Sequence, residues 1–356
     1  MVRKHPRADA LYLEVIADMR RRIASGAWAP GERIPTIDEL EQLYPYSRMT
    51  IVRAARELKL AGELVARGKG GTIVAPRAGV RSVGVLFRLN FANPAHAEFT
   101  FRVGQLVREA LETRGMRAVL FEEAAYPYPG DAPCAGLMQA MRERSIQGLV
   151  AVQSNCARWS EKTGARIELP FVDVGLYPGR HRVFVDFMAA IDEGLRRCAA
   201  RGRRRMGLIG NLPPQQRRMN DSAAAGGYQT CAAWQRVDHR ETAEAFGFAA
   251  MHAIWDNATR PDAIYISDDV IAKGAAQAAA ALGIRVPDEL LLVCMGNRGI
   301  ERFYPCPVER VEMDLGMLAD AAVTLLSDVM EGQAPEQVLV EIPPVAKVNV
   351  PMEQIS

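Results

Sequence analysis

Cysteine and histidine are scarce in this chain of 356 residues. It holds six Cys and five His, with no Cys-x-x-Cys pair and no histidine beside a cysteine. That spacing excludes a zinc-ligand pattern and offers no disulfide framework; reduced thiols in a cytoplasmic protein are expected instead. Long apolar runs are also missing. None approaches the roughly 20 residues of a membrane span, and the opening Met-Val-Arg-Lys-His-Pro-Arg lacks the apolar core of a signal segment. No membrane partner is therefore expected. Net charge is small too, only +2, but the small value hides an asymmetry. Residues 1–77 carry 14 Lys/Arg against 9 Asp/Glu, whereas the remainder carries 30 against 33. A basic head on a mildly acidic body is the electrostatic footprint of a nucleic-acid module joined to something else. With 49% hydrophobic and 24% charged residues, the chain has the make-up of a soluble protein with ample core. Its length suits two or three domains.

The stretch from Ser47 to Ala75 organises the head. Ser47 is a good helix N-cap, and Ile51, Ala54, Ala55 and Leu58 follow at helical spacing. The opposite face carries Arg48, Thr50, Arg53, Arg56 and Lys59. Two short β-branched runs then flank Gly68-Lys69-Gly70-Gly71, which predicts a hairpin with a basic tip. A capped basic helix followed by such a hairpin is the pattern of a winged helix-turn-helix. Upstream, Ala10–Ser25 is amphipathic and Thr36 caps a short helix through Leu43. From Ser82 onward, strands alternate with helices. The strands are expected near 83–87, 118–121, 148–152, 171–174, 183–186, 206–209, 230–234, 263–266 and 290–294. Strands joined by helices imply parallel sheets, so the body is expected to be a bilobed, doubly wound α/β domain. Its ligand cleft should lie at the C-terminal ends of the strands.

Several blocks carry resemblances. Ile-Ala-Ser-Gly, Pro-Gly-Glu-Arg-Ile-Pro-Thr, Ser-Arg-Met-Thr-Ile, Ala-Gly-Glu-Leu and Gly-Lys-Gly-Gly-Thr-Ile-Val, in order within residues 11–75, closely resemble the GntR-family winged helix. That resemblance implies binding to double-stranded operator DNA through Ser47, Arg48 and Thr50, with Lys69 and Gly70 at the wing tip. Asp38 and Val52 stand where many members have arginine, and Arg53 is one residue on from the second of these. Residues 82–350 resemble the LacI/GalR effector domain. The carriers are Gly202-Arg-Arg-Arg-Met-Gly-Leu-Ile-Gly210, Arg260-Pro-Asp-Ala-Ile-Tyr-Ile-Ser-Asp-Asp269 and Leu-Gly-Ile-Arg-Val-Pro-Asp-Glu. The whole then has the arabinose-repressor-type arrangement: a DNA-binding head on residues 1–75, a linker over 76–81, and an effector and dimerisation domain over 82–356. The resemblance implies a homodimeric, cytoplasmic repressor controlled by a small polar, sugar-like effector, with no catalytic residues, metal or cofactor. The alternative is the same head on a body with an enzymatic or non-sugar ligand-binding role.

Within the cleft, Arg218 is expected to open a helix of the second lobe and falls where the family's arginine binds effector hydroxyls, although its neighbour Arg217 is a second choice. Asp269 matches the family's effector-binding acid, against a simple helix cap at Ser267 or Asp268. Ser154 and Asn155 follow a strand and are explained equally well as ligand donors or as turn formers. Asp186 and Asp173 complete the set of candidates. Gly296-Asn297 replaces the usual acidic pair after the Leu290 strand, and Thr242 stands where an aromatic often stacks on a sugar. The missing ring argues for a smaller or more charged ligand than an ordinary hexose.

Overall fold

The computed structural model describes residues 6–60, 62–67, 71–75, 80–89, 94–124, 134–154, 156, 166–175, 179–238 and 244–345. The head is built from α1 (Pro6–Ala24), α2 (Ile37–Leu43), α3 (Arg48–Leu60) and a ribbon of β1 (Leu64–Ala66) and β2 (Thr72–Val74). The ribbon is antiparallel, with Leu64 opposite Val74 and Ala66 opposite Thr72. Ile51, Ala54 and Leu58 repeat on one face of α3 and are wholly buried against Val15, Met19, Leu40, Leu64 and Val74. Each such large side chain taken out of water contributes about 1.5–3 kcal/mol. Thr36 and Glu39 form a reciprocal capping box at the start of α2. Two polar ties close the head. Arg20 of α1 reaches Glu63 at the base of the ribbon at 2.7 Å. Asp18 accepts from Arg22 at 2.7 Å and from the Tyr44 hydroxyl at 2.8 Å. The Arg22 bond is the main reason that the Asp18 carboxyl is held down to about 2.

The body has two lobes. The first contains β3 (Ser82–Leu89), α4 (Pro94–Thr113), β4 (Arg117–Ala124), α5 (Ala135–Arg142), β5 (Gly148–Val152), β6 (Phe171–Val174) and β7 (His181–Val185). The second contains α6 (Phe187–Ala200), β8 (Met206–Gly210), α7 (Pro213–Gly226), β9 (Gln235–Val237), α8 (Glu244–Trp255), β10 (Ala263–Ile266), α9 (Asp269–Ala281), β11 (Leu291–Asn297) and β12 (Glu309–Met313). The chain then returns to the first lobe as α10 (Leu315–Met330) and β13 (Val338–Ile342). Sheet orders are β13-β7-β6-β5-β3-β4 and β12-β11-β10-β8-β9. All of their pairings are parallel. Strands β5, β8, β10 and β11 are buried at every position, as strands covered on both faces must be. In each sheet the order reverses once, between β3 and β5 and between β8 and β10. These are the two topological switch points.

The chain crosses between lobes at Asp186, at Asp314 and over Ile342–Val345. Asp186 caps α6 and Asp314 caps α10, each through side-chain bonds to two backbone amides. Asp186 N–H donates to the Ile342 carbonyl at 2.9 Å, and Val345 N–H to the Glu312 carbonyl at 2.7 Å. The crossing segments are thus tied to one another.

Some boundaries differ from those read in the sequence. The expected strand over 183–186 begins at His181 and stops at Val185, because Asp186 is already the cap of the next helix. The expected strand over 230–234 is a 3-10 turn at Ala232–Trp234, and the strand follows it. Trp234 is buried there and its indole donates to the Thr259 carbonyl at 3.0 Å. Arg218 does not open its helix. Pro213 starts α7, since proline has no N–H to lose at a first helical position, and Arg218 lies more than a turn further in.

Helices α8 and α9 approach so closely that only glycine fits at two positions. A Cβ on Gly274 would sit 1.8 Å from the Glu244 carbonyl oxygen, and one on Gly247 would sit 2.0 Å from that of Ile271. Gly274→Ala is therefore expected to destabilise the body by about 3 kcal/mol, the upper end of overpacking costs. Urea unfolding checks this; an unchanged midpoint would mean that the helices separate freely.

Candidate nucleic-acid interface and ligand cleft

The N-terminus of α3 is open to solvent. Ser47 caps it, its Oγ accepting from Thr50 N–H at 3.4 Å and lying 3.0 Å from the Thr50 hydroxyl. Ser47, Arg48 and Met49 are exposed, and Thr50 is half-buried. Along the same face come Val52, Arg53 and Arg56, all exposed. The Arg53 guanidinium lies over the Tyr12 ring of α1, 3.9 Å from its centroid, so part of its work is packing. Arg48 donates to Glu41 at 2.6 Å and also to Asp38, both on α2. Lys69 and Gly70 lie outside the described residues; the strands that lead to them, β1 and β2, form the expected ribbon. An exposed helix N-terminus with a hydroxyl cap, donor side chains and a flanking ribbon has the form of an element that enters a DNA groove.

In the body, the second lobe's switch point brings together the turns after β8 and β10. Asn211 N–H donates to the Ser267 hydroxyl at 3.2 Å, and that hydroxyl lies 3.2 Å from the Asn211 side-chain oxygen. Asp268 is the cap of α9, accepting from Val270 N–H at 2.8 Å. Asp269 is thereby released from capping. It is only 3% exposed, and its Oδ2 has no hydrogen-bond partner. Burial pushes its carboxyl up to about 6, Asp268 adds to the rise, and Arg302 and Arg310 oppose it. Asn297, at the end of β11, is also buried and its Oδ1 is unpartnered. Arg310 is fixed by donating to the carbonyls of Asn297 and Ile300, each at 2.9 Å. Gly296 makes room for it, because a Cβ there would lie 2.5 Å from the Arg310 Nε. The glycine noted in the sequence thus has a packing reason.

Arg302 joins the lobes. It pairs with Glu98 of α4 at 2.6 Å and approaches Asp269 at 3.5 Å. Arg102 of α4 lies nearby, facing Gly299. Sequence reasoning missed Glu98, Arg302 and Arg310, and noted Asn297 only as part of the pair that replaces the usual acidic residues. The available signal was the polar run Asn297-Arg298-Gly299-Ile300-Glu301-Arg302 directly after a buried strand.

The other expected ligand residues fare unequally. Arg218 is partly exposed and forms an ion pair with Asp192 of α6, which also accepts from Ser222 at 2.6 Å. No contact links Arg218 with Asp269 among the described residues, and its Nε and Nη2 are taken by Asp192. The Asp186 Oδ1 is occupied in capping, accepting from Met188 and Ala189 N–H at 3.0 and 2.8 Å. Ser154 is buried, donates to Glu123 at 2.7 Å and accepts from Cys156 N–H at 3.2 Å, so its hydroxyl already has internal partners. Asn155 and Thr242 lie outside the described residues. Asp173 is buried near the C-terminal end of β6 with both oxygens unpartnered, and burial pushes its carboxyl up to about 8. Among the described residues no cluster of His, Cys, Asp and Glu is arranged to hold a metal. No helix there is long and apolar enough to cross a membrane.

Comparison with known proteins places names on both parts. The profile of bacterial regulatory proteins of the gntR family matches residues 11–74, and that of the periplasmic binding protein-like domain matches residues 195–348. The HTH-type transcriptional repressor PurR of Pasteurella multocida (strain Pm70) is 31% identical over 98 residues, 28% of this chain and 29% of that protein. The histidine utilization repressor of Pseudomonas aeruginosa PAO1 is 45% identical over 69 residues, 19% of this chain and 28% of that protein. The matched segments thus span less than a third of these relatives. Among solved structures, the transcriptional regulator CelR–cellobiose complex is similar at a TM-score of 0.59 and 19% identity, over 86% of this chain and 91% of that one. A LacI family transcription regulator from Clostridium acetobutylicum gives 0.59 and 14%, over 75% and 100%. These structural likenesses establish the fold.

The burial of the Asp269 carboxylate has a measurable consequence. Its folded-state value of about 6 stands above the ordinary 3.8, so the folded protein holds this proton more tightly than the unfolded chain does. The associated stability is complete below about pH 4 and is lost as pH rises through about 6. Asp269→Asn should match wild type near pH 4 and exceed it near pH 8, by up to about 3 kcal/mol. Urea midpoints across that range test the point; a variant no more stable at the higher pH would contradict it.

Proposed function

We propose that this chain, a gntR-family head on a periplasmic binding protein-like body of LacI type, is a DNA-binding transcription repressor that answers to a small polar ligand. The observation that carries the reading is the head itself: a capped, solvent-exposed helix start presenting Ser47, Arg48 and Thr50 beside a β-ribbon. Two copies would set two such helices against the half-sites of a near-palindrome. Operator contact then divides by chemistry. Arg48 at the helix start is suited to a base edge, whereas Lys69, between β1 and β2 in the sequence, is suited to phosphate.

The body supplies control. Ligand binding is assigned to the cleft at the lobe 2 switch point, with Asp269 Oδ2 and Asn297 Oδ1 as the buried oxygens there that lack hydrogen-bond partners and Arg302 as the side chain spanning the lobes. The unpartnered oxygens support this assignment, because a buried acceptor left unpaired costs about 1–3 kcal/mol until something bonds to it. A ligand that donates hydrogen bonds, as a sugar, polyol or sugar acid does, would meet that need. Arg218 keeps a place in the proposal through Nη1, with Asp192 fixing its plane, and Asp186 and Ser154 act from beneath as structural support. Lys273, the residue an enzymatic body with a Schiff base would need, pairs with Glu244 at 2.7 Å between α9 and α8. It reads as a surface tie.

The test has two parts. Arg48→Ala should weaken binding to a duplex selected from a random library by roughly tenfold or more and blunt base discrimination. Lys69→Ala should weaken binding to every duplex and lower the salt slope by about one. A thermal-shift screen of sugars, polyols and sugar acids should find a compound that raises the melting temperature of wild type but not of Asp269→Asn. Unchanged DNA affinity in both head variants would overturn the assignment of roles.

A further inference from the structure

The arginine expected to read bases is engaged before DNA arrives. Arg48 Nη1 donates to both Asp38 and Glu41, one guanidinium between two carboxylates. The cluster lies on the outer surface: the Asp38 side chain is 78% exposed, that of Arg48 56% and that of Glu41 33%. It adjoins Met49, itself 79% exposed at the tip of α3. The capping box at Thr36 and Glu39 anchors α2, and Asp38 in its first turn is favoured by the positive end of the helix dipole. Keeping a carboxylate at Asp38 therefore costs the helix nothing. Exposed ion pairs of this kind add little to folding, so stability does not account for the arrangement.

Its effect on DNA binding comes from counting charges. Two carboxylates on one guanidinium leave a net negative charge at a surface that must approach phosphate. The sequence-indifferent part of binding comes from cations that release counterions when they meet phosphates. A guanidinium already neutralised contributes nothing to that release. Guanine, by contrast, offers two acceptors in the fork geometry of arginine, at one position only. We propose that Asp38 and Glu41 are specificity-determining residues: they hold Arg48 in a competing ion pair from which a correctly placed base edge draws it and a phosphate does not. The inference rests on the DNA-binding reading of the head.

The experiment uses the full chain with the double substitution Asp38→Asn and Glu41→Gln, in the wild-type and the Arg48→Ala backgrounds. Two probes are needed, each about 30 base pairs long, a length that covers two half-sites one helical turn apart. One is the duplex enriched from a random library by wild-type protein; the other is a shuffle of it. Fluorescence anisotropy is read between about 50 and 200 mM potassium chloride. With the carboxylates neutralised, the shuffled duplex should bind about three- to fivefold more tightly at the upper salt, with a salt slope steeper by about one. The enriched duplex should gain less, so discrimination falls. The difference should vanish in the Arg48→Ala background. Equal tightening on both duplexes, or tightening that persists without Arg48, would mean simple repulsion of DNA and would overturn the proposal. Weaker binding of the enriched duplex alone would also overturn it, by showing that the carboxylates brace Arg48 within the complex. Melting curves exclude a folding defect. If wild type enriches no duplex, the DNA-binding reading itself fails, and this inference with it.

Discussion

The first lobe of the body is not continuous in sequence, and this constraint governs the rest of the structure. β13 completes the first lobe's sheet beside β7 only after the chain has built the whole second lobe. Three crossings therefore hold the lobes together, at Asp186, Asp314 and Ile342–Val345. The aspartates end one lobe and cap the first helix of the next segment, so each crossing is a fixed corner. The bridge between Met313 and Pro344 and the bond from Asp186 to Ile342 staple those corners to one another. Lobes joined in this way stay tethered at all three crossings. Hinge motion of a few element-terminal residues is a recurrent means of ligand-driven change.

The switch point of the second lobe holds unmet polar groups. Asp269 is forced off its ordinary value because Asp268 has taken the capping position and left the second carboxylate inside. Arg302 answers part of that charge while gripping Glu98 in the other lobe. A ligand satisfying Asp269 would compete with Arg302 and so change how firmly the lobes are bridged. That is the form of differential interaction a ligand needs in order to shift an equilibrium between two arrangements. The first lobe also meets the head: a Cβ on Gly62 would lie 3.6 Å from the Arg117 guanidinium, at the first residue of β4. Arg117 thus lies beside the turn just before the ribbon.

Much of this was legible in the residues. Ser47 as cap, Ile51 and Leu58 as core, and the ribbon of β1 and β2 follow from helical spacing and turn chemistry. The parallel strands from β3 to β8 were visible as short apolar runs. Two kinds of feature were hidden. Boundaries set by distant partners could not be read locally: Trp234 bonds to Thr259 and turns an expected strand into a 3-10 turn. Contacts made across the cleft were hidden as well. Nothing near Arg302 in sequence points to Glu98, about 200 positions away, and nothing near Arg48 announces Asp38 and Glu41 as its partners. The aspartate pair was read as an alternative between a ligand acid at Asp269 and a cap at Ser267 or Asp268; that the cap falls on Asp268 and leaves Asp269 buried depended on three-dimensional geometry. Arg218 shows the converse: its position in the sequence suggested a helix start, and two prolines had already started the helix.

On the proposed reading, ligand in the body and DNA on the head are coupled, and coupling is reciprocal. The most direct measurement is the affinity of full-length protein for its enriched duplex, with and without a saturating compound from the thermal-shift screen. The affinity of the same compound with and without saturating duplex completes the cycle. The two ratios are expected to agree and to differ from one by about fivefold or more, the usual span of allosteric coupling. A compound that binds and stabilises the protein, yet leaves DNA affinity unchanged, would contradict the claim.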